Sequence, residues 1–186
     1  LSSIKSMYIA DGHHRIGAMN IISQDFRKNN FNANDFMIAA FPASQSKIFD
    51  YNRVIKDLNG LSENDFLDKL KIDFKIINSP TPYKPLKSQN FGMYHLGKWY
   101  SLEFKGNIDS KKNILSKLDI NIINNHCLIP ILGIKNINND ERIRFIAGCH
   151  GLEALEKKVN ENNDSVAFSI FPSQIEDVMR VADNNL

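Results

Sequence analysis

Cysteine is nearly absent from these 186 residues: there are two, Cys127 and Cys149, and neither belongs to a Cys-x-x-Cys pair. That excludes a disulfide framework and a zinc knuckle, and it makes a reduced, cytoplasmic setting the expectation. No apolar run approaches the roughly 20 residues that a membrane-spanning helix needs, so no membrane partner is expected. Neither sign of charge dominates, because 23 Lys and Arg against 21 Asp and Glu leave a net +2. That field is too weak to imply nucleic acid on its own. An initiator Met and a charged-then-apolar leader are also missing from the opening Leu1-Ser2-Ser3. We therefore expect an N-terminally truncated chain whose site lacks some partners. What is present is ordinary globular composition, 42% hydrophobic and 24% charged, enough for one good core or two small ones.

Periodicity gives the elements. Met7-Tyr8-Ile9-Ala10 reads as a short buried strand, broken by Asp11-Gly12. Ile16, Met19, Ile22 and Phe26 then mark one face of a helix. Residues 36–41 read as a strand ended by Pro42. Ser62 before Phe66, Leu67 and Leu70 is a helix N-cap, and residues 72–77 alternate as a strand. Three prolines (Pro80, Pro82, Pro85) make 78–90 a loop or linker. Residues 91–96 and 99–104 flank Gly97-Lys98 as a hairpin. A helix over 119–127, a strand over 142–146, a helix over 152–159, a strand over 166–171 and a helix over 174–181, capped by Ser173, complete the series. The longest apolar stretches, 36–41 and 127–132, are expected as buried strands or helix ends. The sum is a mixed α/β or α+β fold whose mixed sheet contains an antiparallel hairpin. We expect a first part over 1–77, a linker over 78–90 and a second α+β part over 91–186.

The chemistry centres on Asp11-Gly12-His13-His14-Arg15, at a predicted helix start. The first N–H groups of a helix lack internal partners, and the dipole puts positive charge there. Gly12 lets backbone approach a ligand, and His13, His14 and Arg15 add donors or cations. Together they describe an anion site, with phosphate as the usual occupant. Asp11 opposes anion binding unless it has work to do, such as accepting a substrate proton or meeting magnesium. The plain alternative is that Asp11 only caps the helix. Zinc is disfavoured, because adjacent histidines diverge and the i, i+4 spacing is missing. A second polar cluster is Tyr51-Asn52-Arg53 with Lys56 and Asp57. There Arg53 and Lys56, oriented by Asn52 and Asp57, can meet an anion, or the segment is a solvated turn with surface ion pairs. Gly148-Cys149-His150-Gly151 joins a strand to a helix and is either a tight turn or a ligand contact through His150. Cys149 as a nucleophile is a weak candidate, and His95 and His126 read as structural or surface residues.

The run Tyr8-Ile9-Ala10-Asp11-Gly12-His13-His14-Arg15 resembles the signature of domain of unknown function 1015. So do Tyr51-Asn52-Arg53-Val54-Ile55-Lys56-Asp57-Leu58-Asn59-Gly60, Phe91-Gly92-Met93-Tyr94, Gly97-Lys98-Trp99-Tyr100 and later blocks through Pro172. Members of that family are longer, so the likeness covers their central and C-terminal part. His150 stands where an Arg is usual. The 11–15 turn is also similar to that of the ParB and sulfiredoxin-like superfamily, which includes free-serine kinases. The resemblance implies phosphate held by Gly12, His13, His14 and Arg15, with Asp11 and His13 catalytic and further contacts from Asn52, Arg53, Lys56 and His150. It implies phosphoryl transfer between a nucleotide and serine, or hydrolysis of phosphoserine, with Mg2+ and ATP or ADP and no resident metal site. The rival is a ParB-like nucleotide-binding or DNA-associated switch without catalysis. Nucleic acid is not expected, since no basic stripe or DNA-reading helix is visible.

Overall fold

The computed structural model describes residues 4–28, 37–106, 114–162 and 165–185. It divides into two compact units, Leu1–Ser46 and Lys47–Leu186.

In the first unit, the described element is helix α1 (His13–Lys28). Gly12 stands just before it with φ +82°, and its carbonyl accepts the Ile16 N–H at 3.0 Å, closing the first turn. Of the expected apolar face, Ile16 and Met19 are half-buried and Ile22 is exposed, while the side chain of Phe26 lies outside the described residues. The strand expected over Met7-Tyr8-Ile9-Ala10 is absent: these residues are irregular, and Met7 and Ile9 are exposed. Of the strand expected over 36–41, the residues at 37–41 are described and are also irregular, with Met37 94% exposed. An apolar run becomes a strand only when a neighbouring strand pairs with its N–H and C=O groups, and among the described residues no strand ladder includes 7–10 or 37–41. No described side chain in this unit is buried.

The second unit is built on a six-stranded sheet in the order β2-β4-β3-β6-β1-β5. The strands are β1 (Tyr51–Ile55), β2 (Phe74–Ser79), β3 (Asn90–His95), β4 (Lys98–Phe104), β5 (Ile143–Ala147) and β6 (Val166–Ile170). Every pairing is antiparallel, so the sheet is more uniform than the mixed one expected, within an α+β fold. β2 pairs with β4 from Phe74↔Phe104 to Ser79↔Trp99. Residues 78–90 therefore connect two strands of one sheet, and the chain divides between Ser46 and Lys47, not at the linker expected over 78–90.

Helix α2 (Glu63–Asp73) starts where expected: Ser62 Oγ accepts the Asp65 N–H, and Glu63 and Asp65 favour the positive helix end. Its Phe66 and Leu70, one turn apart, are fully buried on the sheet. Helix α3 (Asp119–Ile123) runs on into a π turn, Asn124–Leu128, so the stretch at 127–132 is a helix end and not a strand. These elements cover one face with Ile122, Ile123, Leu128 and Leu132 over Phe91, Met93, Phe168 and Ile55. Helix α4 (Glu153–Asn162) covers the other face with Leu155 and Val159 over Val54, Tyr94, Trp99 and Ala167. Trp99 Nε1 donates to Glu156 at 2.6 Å and fixes that helix in place. Helix α5 (Ile175–Asp183) begins at Gln174, not at the expected Ser173 cap, and no capping side-chain bond forms.

The β3–β4 hairpin also departs in detail. Its two turn residues are Leu96 and Gly97, both with positive φ (48° and 77°), and Lys98 is already paired with His95. Both central residues of a type I′ turn need that conformation; Gly97 adopts it freely and Leu96 at some cost.

Candidate functional site

The 11–15 turn forms the helix opening that the sequence implies. Gly12 turns the chain in the left-handed region, and His13 and His14 begin α1 with their side chains exposed. No acidic residue lies in the first helical turn. Asp11, just outside it, faces Arg15 at 3.7 Å, with side chains 95% and 77% exposed. At that exposure the pair contributes little to stability, so both groups are free to meet a ligand. Within five consecutive residues the opening thus carries helix-end donors, two exposed imidazoles and an exposed guanidinium, with one carboxylate just ahead of them.

The second cluster resolves differently. Tyr51-Asn52-Arg53 is not a solvated turn; it is the body of β1, a strand flanked on both sides by β5 and β6. Alternation sends its side chains to opposite faces. Asn52 is fully buried and organises one side: its Nδ2 donates to Asp50 Oδ2 at 2.8 Å, and its Oδ1 accepts the Ile170 N–H at 3.0 Å. Asp50 is 4% exposed and also accepts from Lys84 Nζ at 3.1 Å. Its carbonyl takes the Gly148 N–H at 2.7 Å. Asp50 and Lys84 were not among the expected site residues. A carboxylate ahead of a strand and a lysine inside a proline-rich loop give no periodic signal.

Arg53 faces the other way, 2% exposed. Its Nη1 donates to the Tyr51 carbonyl at 2.6 Å, and its Nε has no partner. Its guanidinium carbon lies 5.0 Å from the Tyr51 ring centre and 4.4 Å from that of Phe145. Burial pushes the guanidinium down to about 10. Lys56 is exposed at the end of β1, three residues on and therefore on the opposite face, so it does not join Arg53 at one anion. Asp57 does not orient either of them: it accepts from Arg142 at 3.3 Å and from the Asn59 N–H at 2.8 Å. Arg142 also binds the Leu132 and Gly133 carbonyls and both oxygens of Asp140. The turn over 56–60 therefore fastens a loop to the sheet end.

Gly148-Cys149-His150 is a short 3-10 turn ending at Gly151 (φ 74°), with Cys149 and His150 exposed. Cys127 is buried, which pushes its thiol well above its usual value. His95 is buried, its Nδ1 donating to the Ser165 carbonyl at 2.5 Å, and His126 is half-exposed against Asp73 at 2.9 Å. Asp119, also unforeseen, is buried and accepts the Gln89 N–H; desolvation raises its carboxyl above the ordinary range. Among the described residues no group of three or more His, Cys, Asp or Glu is placed to hold a metal, and no helix is long and apolar enough to cross a membrane. A surface depression bordered by Lys71, Lys75, Glu103 and Lys105 contains none of the expected site residues.

In comparison with known proteins, the family model described as "Protein of unknown function (DUF1015)" matches residues 1–121. No curated protein and no solved structure matches the chain.

Proposed function

Because the chain belongs to the DUF1015 family, whose description assigns no activity, we propose a function from its residues: phosphate handling at the 11–15 turn, as phosphoryl transfer between a nucleotide and serine or as hydrolysis of phosphoserine. The observation that carries this reading is Gly12 at φ +82° opening a sixteen-residue helix whose first turn is free of acid and displays His13, His14 and Arg15. Phosphoryl transfer asks mainly for positioning and charge stabilisation, and these groups supply both. Gly12 admits a phosphate oxygen to the helix-end N–H groups. Arg15 and the two imidazoles neutralise its charge.

Asp11 then accepts the proton of the serine hydroxyl as that oxygen bonds to phosphorus and the bond from phosphorus to the nucleotide oxygen breaks. In the hydrolytic direction water takes the place of the hydroxyl, and serine leaves. His13, two residues along from Asp11, donates or accepts the second proton. A nucleotide, when bound, supplies the phosphoryl group. Magnesium fits this turn only as a partner of nucleotide phosphates, since Asp11 offers one exposed carboxylate and Mg2+ is commonly held by one or two carboxylates plus phosphates.

The test is phosphorus NMR on the full-length protein with magnesium, in serine plus ATP or ADP and in phosphoserine with and without ADP. Turnover in either mixture should vanish in Asp11→Asn while nucleotide binding persists. Bound nucleotide with no turnover in the wild type would instead favour a ParB-like binding switch.

A further inference from the structure

We propose that Arg53 anchors a second oxyanion site in the sheet unit, one that takes a small carboxylate or phosphate group on the face of β1 shared with Tyr51 and Phe145. The inference does not depend on the 11–15 turn.

A guanidinium is never neutralised cheaply, and a buried cation is ordinarily paired with a carboxylate. Arg53 is 2% exposed, yet no carboxylate pairs with it among the described residues. Of its five N–H donors, the one bond made is from Nη1 to the Tyr51 carbonyl. That bond turns the Nη1 edge toward the backbone and leaves the edge carrying Nε without a partner. The Nε edge is the fork that meets two oxygens of a carboxylate or phosphate side by side. The two rings against the guanidinium compensate its charge in part, but they satisfy no N–H group. A purely structural residue at this position would be better served by an apolar side chain of the same length, because a buried charge with one hydrogen bond opposes folding. Retaining the charge is explained if an anion completes it.

Access is through aromatic side chains and not through backbone. Tyr51 is 51% exposed, its ring stacked on that of Phe145 at 5.1 Å. β5, which carries Phe145, is the last strand of the sheet. Tyr51 is one of the two rings packed on the guanidinium, and turning its half-exposed side chain aside breaks no ladder bond. The same ring then lies beside the bound anion.

The experiment is calorimetric titration of the whole chain with inorganic phosphate, phosphoserine and acetate, repeated for Arg53→Met, for Arg15→Ala, and for Arg15→Ala combined with Arg53→Met or Arg53→Lys. In Arg15→Ala, which takes out the guanidinium of the 11–15 turn, a saturable site should persist; adding Arg53→Met to that variant should weaken it at least tenfold, and Arg53→Lys should restore it only partly. Preference for phosphate or for acetate names the ligand group. Binding that survives in Arg53→Met and disappears in Arg15→Ala belongs to the turn and overturns the proposal, as does absence of saturable binding for all three anions. Should Arg53→Met fail to fold, the Arg53 Nε–H resonance of the wild type decides: it must shift on adding the anion that binds, and a stationary resonance overturns the proposal.

Discussion

The carboxylate of Asp50 lies against Gly148 so closely that a Cβ on residue 148 would sit 2.1 Å from its Cγ and Oδ1. The backbones of the two residues are joined as well, Gly148 N donating to Asp50 O at 2.7 Å. Gly148 is thus required by space and not by backbone angle. Asp50 is held in turn by Asn52 and Lys84, so the carboxylate cannot swing aside. We expect Gly148→Ala to destabilise the unit by about 2 kcal/mol, within the range for overpacked interiors. Denaturant unfolding of Gly148→Ala, Asp50→Ala and the double variant checks this. The two effects should be less than additive, because removing the carboxylate makes room for the methyl. Strict additivity would mean the contact is not what selects glycine.

Arg142 joins four groups at the end of the sheet: Asp140, Asp57 and the carbonyls of Leu132 and Gly133. Its hydrogen bonds hold the Asp140 carboxyl below the ordinary carboxylate range. We expect Arg142→Ala to cost about 2 kcal/mol, a typical loss for charge-assisted hydrogen bonds to partly buried acceptors. Arg142→Lys should recover less than half, since an ammonium cannot bridge the same acceptors. A carboxyl with a depressed folded-state pKa stabilises above its unfolded value and loses that contribution as pH falls through the folded one. The gap between wild type and Arg142→Ala should therefore narrow below about pH 4, near the unfolded carboxyl pKa. A gap independent of pH would assign the effect to the two carbonyls alone.

Much of the second unit was legible because its elements bury one face at regular intervals. Ser62 with Phe66 and Leu70 announced α2, and the positive-φ preference of Gly97 announced the hairpin. β1 was not legible, for the opposite reason. Asn52 and Arg53 look like surface residues, yet the strand is interior, and each is accommodated by a specific contact: Asn52 by Asp50 and the Ile170 N–H, Arg53 by two rings and one carbonyl. Composition cannot reveal such contacts, since Ile170 and Phe145 lie far along the chain, and Asp50 and Tyr51 become partners only once the segment is an extended interior strand. The reverse error occurred at Met7 and Met37, where apolar runs suggested buried strands. Hydrophobicity states a preference for burial, but a strand needs a partner with free ladder groups. At the 11–15 turn the local rules sufficed: a glycine break followed by a helical period placed the helix start within the expected segment, and the exposure of His13, His14 and Arg15 follows from their lying at its first turn.

Gly12 separates a plain helix cap from an anion site, because the two readings need different things of it. A turn that only starts the helix needs no more than the left-handed conformation seen at φ +82°, which Asn adopts more readily than other residues with a side chain. An anion site needs that conformation and also bare backbone, so that an oxygen can reach the helix-end N–H groups. Even the smallest side chain would crowd the binding group, as a Cβ at residue 12 would lie 3.3 Å from Nε and Nη2 of Arg15. We therefore expect Gly12→Asn to keep the helical circular dichroism and to cost under about 1 kcal/mol, while weakening nucleotide binding at least tenfold. Gly12→Ala should lose binding as well, with an added backbone cost of about 1 kcal/mol. Titration of nucleotide against both variants beside thermal unfolding distinguishes the readings. Wild-type affinity in Gly12→Asn would show that no ligand approaches this backbone, and the turn would then be a helix cap and nothing more.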